Sequence, residues 1–406
     1  MTKLGTRSSA VLVLPYGYAV LLPLLPILIE LADVLPRGVA VAGGAFALAV
    51  AAAALVIVIV GVAATLGSAA WREIARMPIV WALAALVASA AIATMTAALT
   101  RSGIFEIACQ FFDGLTFCVL WMTLREERVR RSFLALFFAS GIVACAFAMA
   151  LTLSRHPPAA FAYEHGRAAG TFLQPNEFAG YLLFLIPLGV AQWTATPLLR
   201  RLGLGAAAIG SVALAMSASR AAILGLLLAL PIIAWRFGKR ALIVYGVAAA
   251  IALALGVTVL RNVAHDPSEN ASRIAVWRGA ARMAQRFALT GVGPLAFSVA
   301  YPQYKLPDAQ VDEVHAHDLA LNVLIENGVL GLAAFAFAIY VCVGAARASG
   351  SRIPGEDRER TLLYSGIVTS FAASAVQNSV DLVTTFVFLL WWPMMGLMTG
   401  MSRDAD

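Results

Sequence analysis

Apolar residues run along this chain in blocks long enough to cross a bilayer, separated by short clusters of charge, glycine and proline. A crossing takes roughly 20 apolar residues in a helix. That template predicts twelve spans, near 10–31, 39–66, 78–99, 104–124, 132–153, 176–195, 202–218, 221–236, 241–260, 319–346, 361–378 and 382–400. One long segment, 261–316, is left between the ninth and the tenth. The pattern predicts an all-α polytopic membrane protein, with residues 1–406 forming a single integral membrane domain and 261–316 a long outer loop containing short helices. The first block follows Lys3 and Arg7, is too long for a signal-peptide core and lacks a small-x-small cleavage site. It reads as a retained helix kinked by Pro15, Pro23 and Pro26.

Composition excludes a soluble alternative. Hydrophobic residues make up 61% of the 406 positions and charged residues 13%, against about 25% charged in an ordinary soluble domain. Four cysteines, Cys109, Cys118, Cys145 and Cys342, lie inside apolar blocks, so a disulfide framework is not expected.

Charge orients the spans. With the N-terminus on the cytoplasmic side, most of the Lys and Arg residues outside the long loop fall in inward segments, among them Arg72, Arg125, Arg131, Arg236 and Arg360. An even number of crossings puts both termini in the cytoplasm. Trp71, Trp121, Trp193 and Trp235 then fall at inward helix ends, as interfacial anchors do. The same topology places all five histidines, His156, His165, His265, His315 and His317, on the outer side. There is no G-x-x-x-x-G-K-[ST] phosphate loop and no inward domain to hold a nucleotide. An enzyme working outside without nucleotide must use a substrate that arrives already activated.

Within the long loop, SRIAVWRGAARMAQRFAL predicts a helix with Ile274, Trp277, Ala281, Ala284 and Phe287 on one face and Arg278, Arg282 and Arg286 on another. Ser272 is its expected N-cap, with Arg273 at the helix start. The three spaced arginines suit anionic lipid head groups. Arg273 suits a phosphorylated substrate, because guanidinium pairs bidentately with phosphate. Arg220, between two apolar spans with no charged neighbour in sequence, is a functional candidate, since an arginine at the membrane boundary is costly unless paired. Arg167 precedes a helix that opens at Pro175-Asn176-Glu177.

The sharpest local pattern is HAHDLALNVLIENGVLGL, from His315 to Leu332. Asp318, Asn322 and Glu326 recur at i, i+4 and i+8, giving one polar stripe that must face protein or a water-filled cavity. A neutral His317 at its entrance can take a proton from a hydroxyl near neutral pH. The competing readings are a satisfied interfacial histidine and a metal site from His315 and His317 with Asp312, Glu313 or Asp318. No Cys or third nearby His completes a zinc set, so no metal is expected. Asp381, opening the last span, can pair with an arginine or cap its helix. Glu106 and Asp113 share one face of the fourth span and read as an internal polar network.

These residues resemble the O-antigen ligase and polymerase superfamily. His317-Asp318 followed by Glu326-Asn327-Gly328 and Gly331 is similar to the family's histidine and glycine-x-x-glycine pattern. RAAGTFLQPNEFAGYL with Arg167, SRAAILG with Arg220 and SRIAVWRGA with Arg273 extend the resemblance upstream. The resemblance implies a glycosyltransferase-C-like bundle in a bacterial inner membrane with its site facing the periplasm. It implies a glycan donor on undecaprenyl diphosphate, a lipid A core acceptor, and no cofactor. His317 is then the expected general base and Arg220 and Arg273 the catalytic cations. Arg167, His315, Asp318, Asn322, Glu326 and Asp381 are the expected substrate contacts. Membrane lipids are the only other partner and nucleic acid is not one. The alternatives are a polymerase of the same superfamily, which differs in acceptor, and a secondary transporter, which should show an internal repeat with paired broken helices.

Overall fold

The computed structural model describes residues 15–20, 22–24, 68–97, 100–154, 166–172, 174–247, 249–250, 267–307, 313, 315–383 and 385–401. Every regular element among them is helical. In chain order these are α1 (Ser68–Ala75), α2 (Pro78–Thr96), α3 (Thr100–Thr123), α4 (Glu127–Leu153), α5 (Pro175–Ala191) and α6 (Pro197–Ser217). There follow α7 (Arg220–Ala234), α8 (Pro267–Phe287), α9 (Phe297–Ala300), α10 (Leu319–Arg352), α11 (Arg358–Asn378) and α12 (Thr385–Met401). Prolines at the first positions of α2, α5 and α6 set these starts, where a missing N–H costs nothing.

Five helices among the described residues are long and apolar enough to cross a membrane: α2, α4, α6, Arg220–Phe237 and α10. The chain is a multi-pass membrane protein. Helices α3, α5, α11 and α12 pack between and around these five, being shorter or more polar. Of the expected spans, 39–66 and most of 10–31 lie outside the described residues, as does the second half of 241–260.

Helix α5 is the hub, with Phe178, Tyr181, Phe184 and Leu188 fully buried. Small residues let its neighbours approach closely. Gly189 of α5 abuts the Gly203 carbonyl of α6, and Gly225 of α7 abuts the Ala373 carbonyl of α11. Trp193 and Trp235 are exposed at helix ends, but Trp121 is wholly buried beneath the Arg125 guanidinium, 4.0 Å from its ring centroid. It is a core residue rather than an interfacial anchor.

One end of the bundle collects the charged helix ends. Arg125 meets Glu73 at 2.8 Å, Arg131 meets Glu127 at 2.6 Å and Glu359 at 3.3 Å, Arg236 donates to Ser365, and Arg360 meets Asp357 at 3.1 Å. Helices α7 and α11 pack antiparallel between this end, where Arg236 and Arg358 lie, and the opposite one, where Arg220 and Asn378 lie.

At that opposite end α8 and α9 form a layer over the outer part of α10. Two sequence expectations are corrected here. Helix α8 begins at Pro267, so Ser272 is inside it and Arg273 lies in its second turn. Its buried face is Ala275, Val276, Ala280 and Met283, packed with Phe297, Tyr301 and Ile325, while Ile274 is exposed. Small residues win that face because Gly279 is pressed against the Tyr301 ring and the Tyr304 backbone. Helix α10 is also not one rod. Gly328, at φ 67° and ψ −170°, breaks it in a conformation that essentially only glycine adopts. The backbone groups freed by the break find partners in the preceding loop: Val292 N–H donates to Ile325 O at 2.8 Å, Gly293 N–H to Glu326 O at 3.0 Å, and Val329 N–H to Ala288 O at 2.6 Å.

Candidate active site

The site is built at the turn between α6 and α7. Helix α6 ends at Ala218, whose φ of 51° turns the chain, and Ser219 is extended before α7 begins at Arg220. The first amides of α7 have no carbonyl in a preceding turn to bond, so a helix start of this kind favours anions. Arg167 is strapped across the turn. Its Nε donates to Ser217 O at 2.8 Å and its Nη2 to Asn176 Oδ1, in the first turn of α5, at 2.9 Å. Ala168 N–H adds a bond to Met216 O at 2.9 Å.

The opposing wall comes from α8 and the segment after α11. Asp381 is buried, its N–H held by Gln377 O at 2.9 Å. Arg273 reaches it from α8, with Nη2 3.6 Å from Asp381 Oδ1 and Nη1 donating to Val380 O at 3.3 Å. Arg167, Asn176, Ala218, Ser219, Arg220, Ala221, Arg273 and Asp381 together line a small pocket open to solvent. Three guanidinium side chains against one carboxylate make it cationic.

His317 stands next to this cavity and is joined to it through Asp381. Its Nδ1 is 3.3 Å from Asp381 Oδ1 and its Nε2 is 3.2 Å from Glu313 Oε2. Its backbone is left-handed, at φ 52°, a strained state for a residue with a side chain. His317 N–H donates to His315 Nδ1 at 3.4 Å, and the two rings meet edge to face with centroids 4.5 Å apart. Burial pulls the His317 pKa down, but the hydrogen bonds and charges of Asp381 and Glu313 outweigh it and push the pKa up to about 9. His315 moves the other way, to about 4, through burial and the neighbouring His317 cation. Glu313 is held below the usual carboxylate range by its hydrogen bond to His317. The sequence suggested a neutral His317; the two carboxylates on the ring favour its imidazolium form.

Of the expected substrate contacts, His315, Asp318, Asn322 and Glu326 do not line this pocket, and the last three have partners within the protein. Asp318 caps α10, its Oδ1 accepting from Leu321 N–H at 2.7 Å. Asn322 Oδ1 accepts from Ala316 N–H at 3.0 Å, fixing the loop that carries both histidines. Glu326 Oε1 accepts from Phe297 N–H at 3.3 Å. The polar stripe does face protein, and it anchors the layer that holds His317 in place. Glu106 accepts from Gln110 within α3. Among the described residues no group of three or more His, Cys, Asp or Glu is placed to hold a metal ion, and Asp312 lies outside them.

Sequence patterning overlooked Asn176 as a partner of Arg167 and considered Glu313 only as a metal ligand. The signals were present: Asn176 directly follows a helix-opening proline, and Glu313 lies four residues before His317.

Residues 205–336 match the O-antigen ligase family model. The match supports a place for the chain in the O-antigen ligase superfamily. It covers about a third of the chain, from α6 to the middle of α10, and takes in Arg220, Arg273, His315 and His317. Arg167 and Asp381 lie outside it. The superfamily match and the apolar helices together indicate a glycosyltransferase-like membrane enzyme of lipopolysaccharide biosynthesis, a family whose donor is in general a lipid-linked polysaccharide and whose acceptor is the lipid A core. No curated protein matches the chain.

Proposed function

We propose that the protein is an O-antigen ligase that joins a glycan carried on undecaprenyl diphosphate to a sugar hydroxyl of the lipid A core. The observation that carries this reading is the linked arrangement of three arginines, Asp381 and His317 at one end of the bundle. The donor diphosphate occupies the arginine-lined cavity, where Arg220 and Arg273 form charge-assisted hydrogen bonds to it and Arg167 supports them. These contacts strengthen as the sugar–oxygen bond breaks and charge builds on the leaving diphosphate.

Asp381 holds the Nδ1 side of His317, and Nε2, which faces Glu313 in the resting structure, gives its proton to solvent and meets the acceptor once Glu313 moves aside. The acceptor oxygen attacks the anomeric carbon, its proton passes to Nε2, and undecaprenyl diphosphate departs with the bonding electrons. Direct displacement inverts the anomeric centre. The donor carries its own activation, so the step needs neither nucleotide nor metal.

The gathering of basic helix ends at the far end of the bundle supports an orientation with that end in the cytoplasm and the site facing the periplasm of a bacterial inner membrane. Twelve spans with both termini inside, in a glycosyltransferase-C-like bundle, complete the reading.

The test is reconstitution of purified protein with lipid-linked O-antigen and core lipid A. Joined product is expected from the wild type and none from His317→Ala, with donor binding retained. No joined product from the wild type overturns the reading. Longer lipid-linked chains in its place identify a polymerase.

A further inference from the structure

His317 cannot accept a proton at Nε2 while it donates there to Glu313, 3.2 Å away. The two carboxylates on the ring are not equivalent. The Asp381 side chain is 5% exposed and is tied to Arg273 and to the end of α11. The Glu313 side chain is 23% exposed. Of the two, Glu313 is the one that can exchange its partner for water.

We propose that Glu313 is a displaceable place-holder for the acceptor hydroxyl, covering Nε2 of His317 until the acceptor takes its position. This rests on the ligase reading above and adds a positioning residue to it. The charged and titratable groups around the ring are Glu313 and His315 on its own loop, Asp381 after α11, and Arg273 from α8, which also acts on Glu313. With Glu313 in place two carboxylates stabilise the imidazolium. With Glu313 turned to solvent only Asp381 remains, the proton is held less tightly, and His317 becomes a base closer to neutral pH. Acceptor arrival thus creates the base where it is needed, and an idle enzyme keeps its ring protonated.

The experiment compares wild type, Glu313→Gln and Glu313→Ala in the reconstituted transfer assay between pH 6 and 10, with acceptor KM and kcat resolved and donor binding measured beside them. Removing the Glu313 charge is expected to move the acidic limb of the kcat/KM profile down by roughly one pH unit and to lower acceptor KM severalfold, with donor affinity unchanged. Loss of activity at every pH in the folded variants overturns the proposal, because Glu313 would then take part in the chemistry. An unmoved pH profile and acceptor KM overturn it as well, leaving Glu313 a structural ion-pair partner.

A second measurement needs no variant. Acceptor binding to the wild type at about pH 7.5 is expected to release a proton, read from the buffer dependence of the binding heat, and binding without proton release overturns the proposal. Failure of the wild type to join donor to acceptor would instead remove the ligase reading on which this rests.

Discussion

Asp381→Asn removes the charge at the junction of the arginine cavity and the histidine. In the wild type His317 is raised from its ordinary 6.5 to about 9. A folded-state pKa above the unfolded one stabilises the fold in full below about pH 6.5, and that stability is lost as pH climbs through about 9. At about 1.4 kcal/mol per unit this is of order 3 kcal/mol, shared by two carboxylates, so the Asp381 portion is about 1–2 kcal/mol. To this is added a part that does not depend on pH in this range, the loss of the buried partner of Arg273, whose other bond, to Val380 O, remains. The wild type should therefore exceed Asp381→Asn in thermal midpoint at all pH values, and by roughly 1–2 °C more at pH 6 than at pH 10. Thermal unfolding of the detergent-purified proteins across that range reads both parts. A difference that stays constant from pH 6 to 10 would show that the Asp381 charge does not hold the His317 proton, and the coupling between base and cavity would fail with it.

Two further substitutions test the scaffold. Gly328→Ala places a Cβ about 2.5 Å from Leu289 O in a backbone conformation closed to alanine; it should cost about 1–3 kcal/mol and abolish transfer by releasing the layer that carries His317, seen as a lower thermal midpoint with donor binding retained. Gly225→Leu drives a side chain into the Ala373 carbonyl and should part α7 from α11, a destabilisation of about 1–3 kcal/mol that also weakens donor binding, because Arg220 and Asp381 sit at the ends of those two helices.

Much of the membrane architecture was legible because burial in lipid imposes continuous apolar runs, and α2, α4, α6 and α10 stand where those runs predict them. The break at Gly328 was not legible, since Glu326 before it fits a polar stripe on a continuous helix and only the facing loop accounts for the freed carbonyls. Helix α8 was found as a helix but rotated, because bulky Ile274 and Trp277 suggested the core side while contact with Tyr301 selects Gly279 and Ala280. At the site, the arginines drew notice because a charge at a membrane edge needs a reason. Asp381 was legible as a partner for an arginine, but not which arginine, because Asp381 and Arg273 are brought together only by the packing of α8 over the end of α11. The surroundings of the His317 ring were half legible: Glu313 lies four residues away in sequence, whereas Asp381 reaches the ring only through packing.

The central claim is that Arg220, Arg273 and Arg167 form the diphosphate site. Its most direct measurement is the affinity of a short-chain polyprenyl diphosphate for the protein in nanodiscs, by calorimetry, for wild type and Arg220→Lys. A lysine keeps the charge but not the two-pronged geometry, and the account predicts binding weakened by roughly tenfold or more, about 1.4 kcal/mol. Equal affinities for the two proteins would contradict it.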